Sequence, residues 1–146
     1  MKRLKENSRD SDLKYDILHA PHHCSWHTLS YDSLSAKGDK AETSPEAIEA
    51  LGKANSKAFI ISSSFKIEDN EIDPPAYRAK LEYLKILDPV EGSFKCVDDH
   101  KKSNENVPLV IEISSSGVKL LPVAGIAKSD NATKSAVNRQ GSNGYA

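Results

Sequence analysis

An alternation of strand and helix patterns most constrains what this chain can fold into. Residues 13–17 alternate apolar and polar side chains, as a strand does, and Leu18 breaks the pattern. A short helix is then predicted by the cap Ser44, by Pro45 at the first helical position and by Gly52 at the end. The continuous apolar centre of residues 57–63 is typical of a strand buried on both faces. This strand-helix-strand unit predicts a layered α/β protein.

Further elements follow the same alternation. A second helix is predicted to begin at Asp73 and Pro74, and its expected apolar face consists of Tyr77, Leu81, Leu84 and Leu87. Three more strands are predicted at residues 94–97, 109–113 and 118–121, and the last two should form a hairpin. Residues 28–43 are polar and lack a period, so an irregular connection is expected there.

Length and composition bound the organisation of the chain. With 146 residues, one domain is expected, covering residues 13–123. An irregular amino-terminal arm is predicted for residues 1–12 and a disordered tail for residues 124–146. The formal net charge of −1 argues against a general nucleic-acid surface.

The sequence also bears on the compartment. No apolar run is long enough for a membrane span, and no apolar core follows the charged amino terminus, so a cytoplasmic protein without membrane contact is predicted. The two cysteines, Cys24 and Cys96, are too few for a disulfide framework and are interpreted as free thiols.

Four of the five histidines lie within nine residues, HAPHHCSWH, on the loop after the first strand. Imidazoles bind divalent metals and transfer protons near neutral pH, so the cluster indicates a metal or acid-base site. Three other interpretations remain: a polar surface loop, a structural zinc site using Cys24, and a nucleophilic pair of Cys24 with His22 or His27.

Residues 15–25, YDILHAPHHCS, resemble the "DVLKVPHHGS" strand and loop of metallo-β-lactamase-fold hydrolases of the competence-protein, DNA-uptake type. Residues 57–63 are similar to that family's "aviiS" strand, and Asp73-Pro74 to its "HP" helix start. The likeness covers about residues 13–122. It implies the carboxyl-terminal half of an αββα sandwich, with a mixed sheet, two or more helices and a terminal hairpin.

The resemblance also implies an activity, namely metal-dependent hydrolysis, often of phosphodiesters or nucleic acid, with zinc or manganese activating a water. It implies His22 and His23 as the metal ligands. His27, Asp16 and His19 are the supporting candidates nearby. Candidate substrate contacts are Ser25 and Trp26, although a lone loop aromatic more often covers a core edge.

The chain departs from the family pattern in three ways. Cys24 stands where the family has glycine, and Asp73 stands where it has the histidine of "GHP". The "HxHxDH" motif that supplies most metal ligands is absent upstream of Leu13. We therefore expect a partial hydrolase, weak or inactive alone, whose other ligands come from an amino-terminal half or a partner subunit. The competing hypotheses are a non-catalytic α/β interaction or accessory module and an intact small zinc-binding protein.

Overall fold

The computed structural model describes residues 10–70, 72–100 and 107–122, and these form an α/β fold. The strands are β1 (Tyr15–His19), β2 (Ala54–Ser62), β3 (Ser93–Cys96), β4 (Ile111–Ser114) and β5 (Gly117–Leu120). The helices are α1 (Leu34–Lys37), α2 (Pro45–Leu51) and α3 (Tyr77–Leu87). Of the helices in this part of the chain, none has the length and apolar content needed to cross a bilayer.

Two separate sheets are present where one mixed sheet was expected. β1, β2 and β3 form a parallel sheet with β2 in the centre, in a register that pairs His19 with Ile61 and Ser62 with Cys96. β4 and β5 form an antiparallel hairpin. The predicted hairpin is thus confirmed, with its strands displaced by one or two residues, and Gly117 adopts φ 112° at its turn. β5 lies beside β1.

α2 forms where its local signals placed it. The Ser44 hydroxyl accepts a hydrogen bond from the Ala47 amide at 3.3 Å, which satisfies one of the free donors of the first turn. Pro45 occupies the first turn, where its missing amide costs nothing. The helix that links β1 to β2 is therefore specified locally.

From Ala58 to Ser62, β2 buries one face fully and the other only in part, which corrects the expectation of burial on both faces. Ala58, Ile60 and Ser62 are buried, and α3 packs near β2 and β3. Phe59 and Ile61, on the opposite face, are half-buried. Since parallel sheets are normally covered on both sides, this partly open face is unusual.

α3 differs from its prediction in start and in orientation. It begins at Tyr77, four residues after Asp73, and Leu81 and Leu84 are 38% and 41% exposed. Leu87 is buried as predicted, but the other buried residues of the helix are Ala79 and Tyr83. The small Ala79 side chain permits close approach to the sheet, and the Tyr83 ring stacks on Phe94 with centroids 6.2 Å apart.

Other predictions meet the structure only in part. The connection expected to be irregular over residues 28–43 contains α1 and a 3-10 turn, Gly38–Lys40. In the predicted arm, residues 1–9 lie outside the described residues, while a 3-10 turn spans Asp10–Leu13. The predicted tail, residues 124–146, also lies outside them.

Candidate functional site

The candidate site lies at the carboxyl edge of the parallel sheet. His19 ends β1, Ser62 ends β2 and Cys96 ends β3, and parallel strands bring these ends to the same edge. The Ala20 amide donates to the Ile61 carbonyl at 2.8 Å, which holds the start of the histidine loop against β2. In α/β sheets, ligands commonly bind at this edge.

His19, His23 and Ser63 meet at this edge, and we call them the histidine-serine cluster. His19 Nε2 lies 2.9 Å from Ser63 Oγ. His23 Nδ1 lies 2.5 Å from the Ser63 carbonyl oxygen and 3.3 Å from Ser63 Oγ. A carbonyl oxygen can only accept, so His23 Nδ1 carries a proton and Nε2 is the unprotonated nitrogen of the neutral ring.

The loop between these histidines has a strained backbone. His22, His23 and Cys24 have φ values of 48°, 57° and 68°, in the left-handed region that side chains disfavour. The turn leaves His22 and His23 exposed and buries Cys24 completely. A contact with the segment before α3 holds this backbone conformation: the Cys24 carbonyl accepts a hydrogen bond from the Ala76 amide at 3.0 Å.

Asp73 anchors the same loop from the segment before α3. Its Oδ1 accepts a hydrogen bond from the Trp26 amide at 3.1 Å. The Arg78 guanidinium lies 4.7 Å from the centre of the Trp26 ring and donates to the carbonyls of Gly38 and Ala41. Asp73 therefore positions the loop rather than capping a helix.

The expected substrate contacts are mostly enclosed. Trp26 is 1% exposed, and its Nε1 donates to the Asp32 carbonyl at 3.0 Å. Ser25 is 6% exposed, and its hydroxyl accepts from the His27 amide. This burial does not support a substrate role for Ser25 or Trp26, because both side chains pack within the loop.

The remaining predicted residues are dispersed. The exposed His22 ring makes no hydrogen bond to another described residue. His27 lines a different cavity, of about 710 Å³, which Asp73 also lines. Asp16 accepts from Asn55 Nδ2 at 3.1 Å and lies three residues before His19, roughly 10 Å away along the strand.

A complete metal centre is not assembled by this part of the chain. Across residues 10–70, 72–100 and 107–122, no three His, Cys, Asp or Glu side chains come together in an arrangement that could hold an ion. All five histidines fall within these residues. The fit to zinc or manganese is therefore partial. His23 has the tautomer of a ligand, but no two further donors join it among the described residues.

The structure also bears on the cysteine alternatives. Cys24 is fully buried, and burial raises the pKa of its thiol to about 12. Nucleophilic cysteines have lowered pKa values and partial exposure, so Cys24 does not fit that role. Cys96 is also buried, and its thiol donates to the carbonyls of Ser64 and Phe65 at 3.2 Å each.

Ser63 is the site residue that sequence reasoning undervalued. The sequence predicts only that Ser63 ends the apolar strand of residues 57–63. Its position beside His19 follows from the parallel register of β1 and β2. The only sequence signal was therefore indirect, through the predicted strand-helix-strand unit.

A cavity of about 470 Å³ adjoins the cluster. His23 and Ser63 form part of its wall, and Phe65, Pro74 and Val97 make much of the remainder apolar. Phe65 is 79% exposed. The volume is within the range of sites for small molecules, roughly 300–1,000 Å³.

Comparisons with protein-family models, with curated proteins and with solved structures gave no match to this chain. The metallo-β-lactamase resemblance of residues 15–25 therefore stays a prediction.

Proposed function

We propose that this chain supplies part of the metal-binding wall of a cytoplasmic metal-dependent hydrolase of the metallo-β-lactamase type, acting on phosphodiesters or nucleic acid. The observation that carries the proposal is the hydrogen bond from His23 Nδ1 to the Ser63 carbonyl. Metal-ligating histidines usually donate their other ring nitrogen to such an oxygen, which fixes the ligand tautomer. His23 Nε2, on an exposed side chain, is thereby prepared as a donor.

The backbone of the loop gives further support. Cys24 has φ 68° at the position where the resembling family has glycine, the residue that adopts this region without steric cost. The loop follows a strand of a parallel sheet, as the half-sandwich proposal requires. Asp73, at the position of the family's "GHP" histidine, contacts this same loop.

The proposed site needs donors beyond these histidines. His22 and His23 are both exposed, and the chain has no histidine outside the described residues, so further ligands would be carboxylates or groups of a partner chain. A bound zinc or manganese ion would lower the pKa of a water and polarise the scissile group. The chain's own task is to hold His23 in the ligand tautomer.

Metal titration of the whole chain tests this proposal. We expect calorimetry with Zn²⁺ or Mn²⁺ to show binding that weakens at least about tenfold in His23→Gln, because a fixed donor is lost. His100→Gln is the matched control, since His100 lies after β3 and outside the loop. Equal affinities of wild type and His23→Gln would contradict the proposal.

Hydrolysis is a separate readout. With added Mn²⁺, bis(p-nitrophenyl) phosphate should be cleaved slowly by the chain alone, because the described ligand set is incomplete. The double variant His22→Ala, His23→Ala should lose this activity. A rate unchanged by the double substitution would show that the histidine loop takes no part in catalysis.

A second candidate is a non-catalytic interaction or accessory module. The observation that favours it is the half-buried sheet face with Ile17, Phe59 and Ile61, which a partner could cover. This candidate predicts neither metal binding nor phosphodiester cleavage. The two experiments above therefore distinguish it from the hydrolase.

A further inference from the structure

The histidine-serine cluster contains one contact that the metal proposal does not use, between Ser63 Oγ and His19 Nε2. His23 Nδ1 must donate to the Ser63 carbonyl, and the same nitrogen lies 3.3 Å from Ser63 Oγ. The single proton of His23 Nδ1 is taken by that carbonyl, so the Ser63 hydroxyl can donate its own proton to His19 Nε2, 2.9 Å away. In this arrangement His19 Nε2 is the acceptor nitrogen.

The Ser63–His19 geometry is that of a nucleophile and its general base. A serine hydroxyl is a weak nucleophile until a base within about 2.6–3.2 Å removes its proton, and His19 Nε2 lies within that range. Both residues follow or end neighbouring strands in fixed register, with His19 opposite Ile61. The pair is therefore held by the sheet and not by a free loop.

The adjoining cavity defines what could reach this serine. Ser63 lies in its wall beside Phe65, Pro74 and Val97, so an apolar aryl or acyl group would fill it. Asp98 also lines the cavity, and its carboxylate disfavours an anionic substrate, whereas an ester is neutral. An activated ester with an aromatic leaving group matches both features.

We propose that Ser63 is a nucleophile for metal-independent acyl transfer from such esters, with His19 as general base. Ser63 Oγ bonds to the ester carbonyl carbon as its proton passes to His19 Nε2. The bond from that carbon to the aryl oxygen breaks, the phenolate leaves with the electron pair, and His19 releases its proton to the solvent. Water then attacks the acyl carbon as His19 Nε2 takes its proton; the bond from that carbon to Ser63 Oγ breaks, Ser63 Oγ recovers the proton from His19, and the acid is released.

The experiment uses p-nitrophenyl acetate and the full chain in excess EDTA, so that no metal contributes. We expect peptide mass spectrometry to find the acetyl group on Ser63 as the main modified serine. In His19→Gln, acetylation of Ser63 should be at least about tenfold slower, since general-base assistance by a placed histidine is worth more than that.

Two variants separate this pathway from background chemistry. Ser63→Ala retains all five histidines and the lysines, so its p-nitrophenolate release measures the background reaction of the other nucleophiles. Ser116→Ala is the matched control, because Ser116 is an exposed turn serine whose hydroxyl bonds to Ser114. It should release p-nitrophenolate at the wild-type rate.

Either of two results would overturn the inference: acetyl groups only at sites other than Ser63, or equal Ser63 acetylation in wild type and His19→Gln. Far-ultraviolet circular dichroism verifies that each variant is folded. Because the assay contains a chelator, its outcome is independent of metal titration. A chain that binds no metal but acylates Ser63 would refute the proposed hydrolase and leave this inference standing.

Discussion

Cys24 occupies a position with two opposing requirements. Its left-handed backbone costs about 1 kcal/mol or more for a residue with a side chain, which favours glycine. The space around it is closed, and Cys24 is 0% exposed, which favours a small apolar side chain. A buried thiol meets the second requirement at the expense of the first.

The buried thiol should make stability depend on alkaline pH. The Cys24 pKa is about 12 in the fold, against an ordinary value of 9.0, so the unfolded chain loses this proton first. Stability from this group is present below pH 9 and is lost as pH rises toward 12, by up to about 1.4 kcal/mol per pH unit. Urea unfolding between pH 7 and 11 measures the decline.

Cys24→Ala is the control for this pH dependence. Tyr15 has a pKa of about 12 against an ordinary 10.0, also because of burial, so the variant should still lose stability above pH 10. The decline between pH 9 and 10 should become shallower than in the wild type. Identical pH profiles for the two proteins would show that the Cys24 thiol does not cause it.

Single residues also mark the limit of sequence reasoning at the site. The histidine cluster is visible in the sequence because it is local, and the loop position after β1 is as expected. The partnership of His19 with Ser63 was not visible, since it joins residues 44 positions apart. It depends on the register of two parallel strands, which local patterns do not encode.

At the scale of elements, α3 shows how two apolar faces can compete. Judged by the number of leucines, the face with Leu81 and Leu84 should be buried, whereas the fold buries Ala79 and Tyr83. Hydrophobic spacing predicts that a helix exists, but close packing against a sheet also rewards small and flat side chains. By contrast, α2 was predicted correctly because Ser44 and Pro45 act locally.

A matched pair of substitutions tests the orientation of α3. Leu87 is 1% exposed, so Leu87→Ala should lower the free energy of unfolding by about 2–5 kcal/mol through lost burial and a cavity. Leu84 is 41% exposed, so Leu84→Ala should cost less than about 1 kcal/mol. Chemical denaturation of both variants measures the difference. A loss at Leu84 as large as that at Leu87 would show that Leu84 is packed too, as the sequence predicts.

For the molecule as a whole, the main feature is a parallel sheet with unequal faces. The face with Ile60 lies in the core, whereas the face with Ile61 is only half-buried. The sequence could not reveal this difference, because the run from Phe59 to Ile61 is apolar throughout. Which face is covered depends on the elements that pack there, not on the strand itself.

Neighbouring isoleucines allow a direct test of this asymmetry. Ile60→Thr should destabilise the protein by at least about 2 kcal/mol, because it removes buried carbon and introduces a hydroxyl without a partner. Ile61→Thr should cost less than about 1 kcal/mol, since threonine suits strands and water still reaches this face. Thermal or urea unfolding distinguishes them, and a larger loss at Ile61 would show that its face is the closed one.

The anchoring of the histidine loop has a consequence for how the protein acquires its site. The hydrogen bonds that hold it join residues far apart in the chain: Trp26 and Asp73 are 47 positions apart, and His19 and Ser63 are 44 apart. Contacts of such high sequence separation form only after a large loss of chain entropy, so they belong to the slow part of folding. An excised peptide with the same histidines would lack this geometry, because the arrangement is made by the assembled sheet and the segment before α3.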